Sequence, residues 1–413
     1  MRAATGLGRV AGAMSRTLRR GDGFVIGGRV VLAACPDAFA RLCSGRRVAF
    51  VSATNGKTTT TKLLAAAMRA AGPVLTNNSG ANMPAGLVAA LAMPTQRAPD
   101  DAPVVLEADE TFLPGLLRGT PEALLVLGNL SRDQLDRLSE VAMVARRWRT
   151  TFAAMPGLTA VANADDPHIV WAASALADVT WVSVGNTWTA DSVLCPSCGA
   201  ILRRDERDWS CECGFRRPSP SWVLDDGTVV DPAGARHGLA LRLPGRANEA
   251  NAVMALAAAH ALGVPPETAL PAMASVESVG GRYQTVTLGG RHVRLLLGKN
   301  PAGWAEMFGM LAPPPAPVVI AINARAADGK DPSWLWDVPF ENLAGRLVVA
   351  TGERRHDLAV RLTYAGVEHV TVEDPWTAMP AAVGASDEPL DAVGTYTAFR
   401  EMLRRGGGAR DAG

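Results

Sequence analysis

Three groups of residues in this chain have types and spacings suited to chemistry. They are the run Ser52-Ala53-Thr54-Asn55-Gly56-Lys57-Thr58-Thr59-Thr60-Thr61, the acid Glu107 within Glu107-Ala108-Asp109-Glu110, and the cysteines Cys195, Cys198, Cys211 and Cys213. The first run lies between an apolar strand-like segment and an apolar helix-like segment. The first N–H groups of a helix have no intrahelical partner, so such a junction receives an anion. Gly56 lets the backbone approach a phosphate with no Cβ between them, Lys57 brings a mobile positive charge, and the Thr58 hydroxyl suits the shell of a magnesium ion. Glu107 ends a neighbouring apolar run and would add a hard oxygen ligand for the same ion. A Thr-capped helix start and an acid-rich helix N-terminus are the plainer readings. The strand-to-helix position of Gly-Lys-Thr favours the nucleotide.

The cysteines read C-x2-C, twelve residues, then C-x-C, with Gly199 and Gly214 directly after the two pairs. Four thiolates on two tight knuckles suit a closed tetrahedral zinc site, a structural staple inserted at about 190–220. Arg203, Arg204, Arg207, Arg216 and Arg217 beside it are expected to form a basic, mainly solvated surface. Cys35 and Cys43 sit among apolar residues and read as small buried hydrophobes.

Positioning these groups calls for a repeated unit. Residues 47–51, 73–75, 102–106, 123–127 and 158–162 read as strands, each followed by a polar cluster, with helical stretches between them. That alternation predicts a mostly parallel sheet covered on both faces, with ligand residues gathered at its carboxyl edge. The same pattern recurs downstream at 295–297, 318–322 and 347–350, which predicts a second, smaller α/β domain. Residues 1–45 read as a lead-in with a basic start compatible with a helix, then Gly21-Asp22-Gly23 and Gly27-Gly28 as turn punctuation around Phe24-Val25-Ile26. Its Arg2, Arg9, Arg16, Arg19 and Arg20 precede the first acid, Asp22, and read as a solvated arm in preference to a lipid contact.

With 413 residues, 48% of them hydrophobic and 20% charged, the chain has room for two or three globular domains. A formal charge of +1 argues against a general nucleic-acid binder. Neither a bilayer-length apolar run nor a cleavable leader is evident, so a cytoplasmic location is expected. Six cysteines, four of them clustered, point to metal binding in a reducing compartment and away from a disulfide framework.

The loop Thr54-Asn55-Gly56-Lys57-Thr58-Thr59, the run Asn129-Leu130-Ser131-Arg132-Asp133-Gln134-Leu135-Asp136-Arg137, the cysteine insertion and the run Asp328-Gly329-Lys330-Asp331-Pro332-Ser333-Trp334-Leu335-Trp336-Asp337 together resemble the Mur ligase family. The resemblance spans nearly the whole chain and is strongest to the branch that amidates lipid II. It implies a Mur-ligase-type P-loop ATPase domain over 46–280 carrying the zinc ribbon, a partner-binding α/β domain over 281–405 and a flexible tail over 406–413. It also implies ATP and magnesium as cofactors beside the structural zinc, and activation of a carboxylate as an acyl phosphate. The substrate would be the α-carboxylate of D-glutamate in the lipid II stem peptide, at the inner face of the cell membrane. Ammonia would come from a GatD-like glutamine amidotransferase in a heterodimer.

Carried over residue by residue, the resemblance assigns ATP contacts to Thr54, Asn55, Gly56, Lys57, Thr58, Thr59, Asn248 and Arg282, and magnesium to Thr58 and Glu107. Asn248 and Asn251 share one face of an Ala-rich helix running to about His260, and an Asn amide can read an adenine edge or cap the helix. Asp331 and Asp337 are the candidates for an acid that orients the partner's catalytic His, and either would otherwise be a turn cap beside buried Trp334 and Trp336. Ala53 stands where most of the family has Gly. Gln134 stands where amino-acid-adding members have a metal-binding His, which weighs against a self-sufficient amino-acid ligase. An ATP-gated zinc-containing scaffold is the other alternative.

Overall fold

The computed structural model describes residues 2–17, 23–77, 81–94, 98–132, 141–185, 188–277, 283–377 and 389–407. They fall into two compact units. One holds the described residues up to Ser131 and those from 141 to Glu277; the other holds Arg132 and the described residues from Tyr283 onward.

The first unit is built on a nine-stranded sheet. Its order is Arg236–Gly238, Thr228–Val230, Trp222–Asp225, Asp178–Ser183, Thr159–Asn163, Leu124–Leu127, Val48–Ser52, Val104–Glu107 and Leu75–Thr76. From Trp222–Asp225 to Leu75–Thr76 every pairing is parallel, and the two hairpin strands beyond are antiparallel. Val48–Ser52, Val104–Glu107 and Leu124–Leu127 are buried at every residue, as strands covered on both faces must be. Their continuous apolar runs are the sequence form of that burial. The strands expected at 47–51, 102–106, 123–127 and 158–162 are all present within two residues of those limits.

Helix Lys57–Arg69 packs on Arg246–Ala261 and Pro266–Ala274, and Val141–Ala153 packs on Pro167–Ala173. The strand Val48–Ser52 lies between Val104–Glu107 and Leu124–Leu127. The chain therefore leaves it toward one side of the sheet and later returns to the other. A crevice opens at the carboxyl end of such a strand, and the phosphate loop follows directly.

The lead-in begins with the expected helix, but the turn expected at Gly27-Gly28 is absent. Arg2–Thr17 and Phe24–Ala34 are helices packed against each other, and the second also packs on Pro84–Ala92. Gly27 and Gly28 lie inside the second helix and make no turn. Their role is close approach. A Cβ on Gly27 would stand 2.8 Å from the Gly8 carbonyl oxygen, and one on Gly28 would stand 1.8 Å from that of Ala85. Local turn propensity yields here to helix packing.

The second unit carries a six-stranded sheet in the order Tyr283–Leu288, Arg291–Leu297, Leu390–Gly394, Val318–Ala321, Val348–Thr351 and His369–Thr371. Only the first pair is antiparallel. Trp304, Phe308, Trp334 and Phe340 form an aromatic cluster in its core, with ring centroids 5.6–6.2 Å apart. Among the described residues no helix is long and apolar enough to cross a membrane.

Gly28→Ala should lower the stability of the first unit by about 1–3 kcal/mol, because the added methyl meets backbone that has no room to move. Thermal or urea unfolding followed at that unit checks this. An unchanged transition would mean that the helix contact is looser than its geometry.

Candidate functional site

The phosphate loop is held open by another segment of backbone. Asn129 exchanges two hydrogen bonds with Asn55: the Asn55 N–H donates to its side-chain oxygen at 2.9 Å, and its amide donates to the Asn55 carbonyl at 3.0 Å. The Thr54 N–H donates to the Asn129 carbonyl at 2.9 Å, the Thr54 hydroxyl to the Ser131 carbonyl at 3.1 Å, and the Ser131 N–H back to that hydroxyl at 3.0 Å. Asn55 also donates to the Ser131 hydroxyl at 3.2 Å. Thr54 and Asn55 therefore spend their side chains on loop shape. Asn129 and Ser131 carry no role in the sequence reading beyond the family motif, because partners more than 70 positions away leave no local signal.

Gly56 has φ 83°, the left-handed conformation that favours glycine, and a Cβ there would stand 2.2 Å from the Asn251 side-chain oxygen. Asn251 also accepts from the Thr60 hydroxyl at 3.2 Å. The helix Lys57–Arg69 starts at Gly56 with no side-chain cap, so its first N–H groups face the loop. Thr58 is half-buried on its first turn, and Thr59 is buried. Asn248 begins the helix Arg246–Ala261 and donates to the Pro244 carbonyl at 2.6 Å. Asn251 therefore reaches the loop, and Asn248 sits one turn before it. Arg282 lies outside the described residues, as does Gln134.

Ala53 is compatible with this loop. Among the described residues only Glu206 and Asp226 are non-glycine residues with positive φ, so Ala53 carries no such strain. Its methyl is buried opposite Gly128, where a second Cβ would approach it to 2.9 Å.

Lys57 is buried and fully partnered. Its ammonium donates to the Ala53 carbonyl, to the Thr54 carbonyl at 3.3 Å and to Glu110 at 2.8 Å, which uses all three donors. Glu110 is nearly as buried as Lys57, and burial pushes its carboxyl above the ordinary carboxylate range against the pull of that ammonium. Trp148 fixes the Glu110 backbone, its indole N–H donating to the carbonyl at 2.8 Å. Glu110 is absent from the residues picked out by sequence. Its only mark there is a place three positions after Glu107 in an acid-rich turn.

Glu107 ends the strand beside Val48–Ser52 and pairs in register with Val51. Asn82 donates to its carboxylate at 3.2 Å, and the Asn77 side chain both accepts from its N–H at 2.8 Å and donates to its carbonyl at 2.9 Å. One carboxylate oxygen is thus oriented by an amide beside the loop. A buried acid so held, one strand away from the Thr58 hydroxyl, is a fit donor for a magnesium ion.

The four cysteines of the insertion converge, with their sulfurs all within 4.8 Å of one another. Cys195 and Cys213 are 3.8 Å apart, and Cys198 and Cys211 are 3.5 Å apart. A tetrahedral ion with metal–sulfur bonds near 2.3 Å needs sulfurs about 3.8 Å apart, so the donor set could hold a metal. Gly199 and Gly214, at φ 80° and 87°, turn the two knuckles. Burial pushes the Cys195 thiol up to about 12, whereas the Phe215 N–H draws Cys213 down to about 7. The insertion is tied to the sheet by Trp209, which donates to the Ala164 carbonyl at 3.2 Å, and by Arg217, whose guanidinium lies 2.7 Å from Asp165.

The expected basic surface is present in Arg203, Arg204, Arg207 and Arg216, all exposed, with Arg203 paired to Glu212 and Arg207 3.8 Å from Asp225. Arg217 departs from it: half-buried in its pair with Asp165, it fastens the insertion.

In the second unit a short 3₁₀ turn, Pro332–Asp337, presents the two candidate acids. Trp334 and Leu335 anchor it in the aromatic core, and the buried Arg361 donates to the Leu335 carbonyl at 3.3 Å and the Val338 carbonyl at 2.9 Å. Asp331 is exposed, caps the turn by accepting from the Ser333 N–H at 2.9 Å, and is held below the usual carboxylate range by that bond. Asp337 pairs with Arg132 at 3.2 Å. Asp328 is buried and accepts from the Thr397 N–H at 2.7 Å, a structural bond. Trp336 is not buried as expected. It is 55% exposed and meets Tyr364 edge-on, because a three-residue repeat turns it away from the core that takes Trp334.

The fold has counterparts among known proteins. Residues 51–259 match the Mur ligase middle domain, and the chain belongs to the Mur ligase family. Residues 297–399 match the MurT ligase C-terminal family. The chain is 30% identical to the MurT subunit of lipid II isoglutaminyl synthase (glutamine-hydrolyzing) from Staphylococcus aureus strain COL, over 78% of each chain. It is 29% identical to the subunit of the same name from Streptococcus pneumoniae strain R6, over 97% of each chain. Among solved structures, a pseudomurein peptide ligase type C from Methanothermus fervidus superposes with TM-score 0.64 at 18% identity, covering 87% of this chain and 79% of that one. MurF from Acinetobacter baumannii gives 0.63 at 14% identity, covering 91% and 79%.

Asn129→Ala removes both bonds to Asn55 without touching Lys57. Losing them should cost about 1–3 kcal/mol, roughly a five- to 150-fold loss of affinity for an ATP analogue in calorimetry. Unchanged affinity would mean that the loop keeps its shape unaided.

Proposed function

We propose that this chain is the synthetase subunit of a lipid II amidating enzyme, converting the α-carboxylate of D-glutamate in the stem peptide to the amide of D-isoglutamine at the expense of ATP. What carries the reading is the placement of Lys57 and Glu107 at the carboxyl ends of adjacent strands, in a chain similar over 97% of its length to a MurT subunit.

The phosphates of ATP lie at the start of the helix that follows Gly56, whose N-terminus has no side-chain cap, and Lys57 exchanges its Glu110 partner for phosphate charge. Thr58 and Glu107 would hold magnesium, which would neutralise charge on the phosphates. Asn248 and Arg282 serve the rest of the nucleotide, and Asn251 keeps its place as a packing partner of the loop. A carboxylate oxygen of the substrate attacks the γ-phosphorus and ADP leaves, giving an acyl phosphate. Ammonia then attacks the carbonyl carbon, loses a proton and displaces inorganic phosphate. The loop and its lysine supply position and charge, which is most of what phosphoryl transfer asks of a protein.

The chain offers no cysteine suited to glutamine hydrolysis. Cys35 and Cys43 are buried, with burial pushing the Cys43 thiol up to about 12, and the other four meet in the knuckles. Ammonia therefore comes from a GatD-like partner in a heterodimer. Asp331 is the better placed acid for orienting that partner's His, since it is exposed and ionised whereas Asp337 is engaged by Arg132. The exposed Trp336 and Tyr364 beside it suit a protein contact. Zinc on Cys195, Cys198, Cys211 and Cys213 is a closed staple, with no position open for catalysis.

Purified chain, ATP, magnesium and lipid II should give amidated lipid II from ammonium alone, and from glutamine only with the partner present. Lys57→Ala should abolish both, and Asp331→Asn should abolish only the glutamine route. ATP consumption without amidation under any combination would defeat the assignment. Metal analysis should find one zinc per chain, and Cys211→Ser should lose it and lower the melting temperature. A chain that binds no zinc and melts unchanged would leave the knuckles as reduced thiols.

A further inference from the structure

The first helix, Arg2–Thr17, has two unlike faces. Ala4, Gly8, Gly12 and Ser15 are buried, and a Cβ on Gly8 would stand 2.6 Å from the Val31 side chain and 2.8 Å from the Gly27 carbonyl oxygen. That face is committed to the helix Phe24–Ala34. On the other side Leu7, Val10 and Met14 are 57%, 60% and 59% exposed. Their spacing of three and then four residues lines them up in one stripe. Single exposed apolar side chains are ordinary, but three in helical register on an unpartnered face are a surface with a use.

Charge identifies what covers it. Arg2, Arg9 and Arg16 recur every seventh residue, so their positions form a second row along the same helix. Neither Arg2–Thr17 nor Phe24–Ala34 contains an acid, and the second helix adds an exposed Arg29 and an exposed Ile26. An apolar stripe beside a basic row, at low mean hydropathy and too short to span, is the pattern of a helix lying in the plane of a lipid interface. A protein partner would need acids placed opposite each arginine; a bilayer of anionic lipid supplies both complements at once.

We propose that the Arg2–Thr17 helix docks the chain on an anionic lipid surface, with Leu7, Val10 and Met14 entering the acyl boundary and the exposed Arg9 at the headgroups. Three side chains make a shallow anchor. The binding is therefore reversible and sensitive to salt, and it does not depend on which reaction the phosphate loop serves.

Flotation of the full chain with vesicles tests this, using phosphatidylglycerol-containing and pure phosphatidylcholine vesicles. Binding is expected on the anionic vesicles and should weaken as salt rises. Leu7→Glu with Met14→Glu should weaken it by roughly tenfold or more, and Arg9→Gln by about fivefold. Both variants should keep the parent melting temperature, since the altered side chains are exposed. Equal binding to both vesicle types, or full binding by the Leu7→Glu, Met14→Glu variant, would overturn the proposal. So would self-association in solution that this variant abolishes while vesicles bind neither form, because the stripe would then belong to a second copy of the chain. Soluble-substrate turnover of ATP, measured alongside, separates failure of docking from failure of the ligase reading.

Discussion

The structure turns on the position of one strand. Val48–Ser52 has parallel neighbours on both sides, and the chain reverses its direction of travel across the sheet there. Two strand ends therefore flank the same turn, Glu107 on one side and the Gly128-Asn129 turn on the other. The consequence is chemical. A loop of backbone that would otherwise be floppy is bonded along its length to Asn129 and Ser131, while Glu107 stands next to it with its carboxylate already oriented by Asn82. The helix that follows Gly56 starts with no side-chain cap, so its N-terminus is presented to the crevice.

Lys57 illustrates the cost of building such a site. An ammonium buried among strand ends cannot be left unpaired, and the chain meets the demand with two loop carbonyls and Glu110. Glu110 in turn carries a raised carboxyl and depends on Lys57 to stay charged. Each partner of the pair thus neutralises the other's buried charge.

Acids elsewhere at the carboxyl edge serve architecture. Asp166 accepts from the Leu130 N–H at 2.8 Å and from two N–H groups of the helix Pro167–Ala173, so one carboxylate caps a helix and steadies the segment that clamps the phosphate loop. Asp165 receives the Val184 and Gly185 N–H groups as well as Arg217 of the cysteine insertion. The insertion is thereby fixed to the strand end and not merely tethered by its two termini. In the second unit the same economy holds, with Trp334 and Arg361 pinning the short turn that presents Asp331.

Much of this was legible in the residues alone. Continuous apolar runs identify doubly covered strands because burial on both faces leaves no polar position, and Gly56-Lys57-Thr58 and the paired cysteines announce their chemistry because local backbone geometry demands those residue types. What remained hidden depends on partners distant in sequence. Gly27 and Gly28 have the composition of a turn and lie in a helix because Gly8 and Ala85 come close to them. Glu110 becomes the partner of Lys57, Asn129 the brace of Asn55, and Arg217 a half-buried clamp only once the sheet has set their separations. Periodicity and motif follow from forces acting within a few residues, so the sequence by itself determined the strands, the loop and the knuckles. Which charged groups are spent on holding them, and which are left for a ligand, was decided by tertiary structure, because desolvation and hydrogen-bond pairing depend on every group that folding brings near.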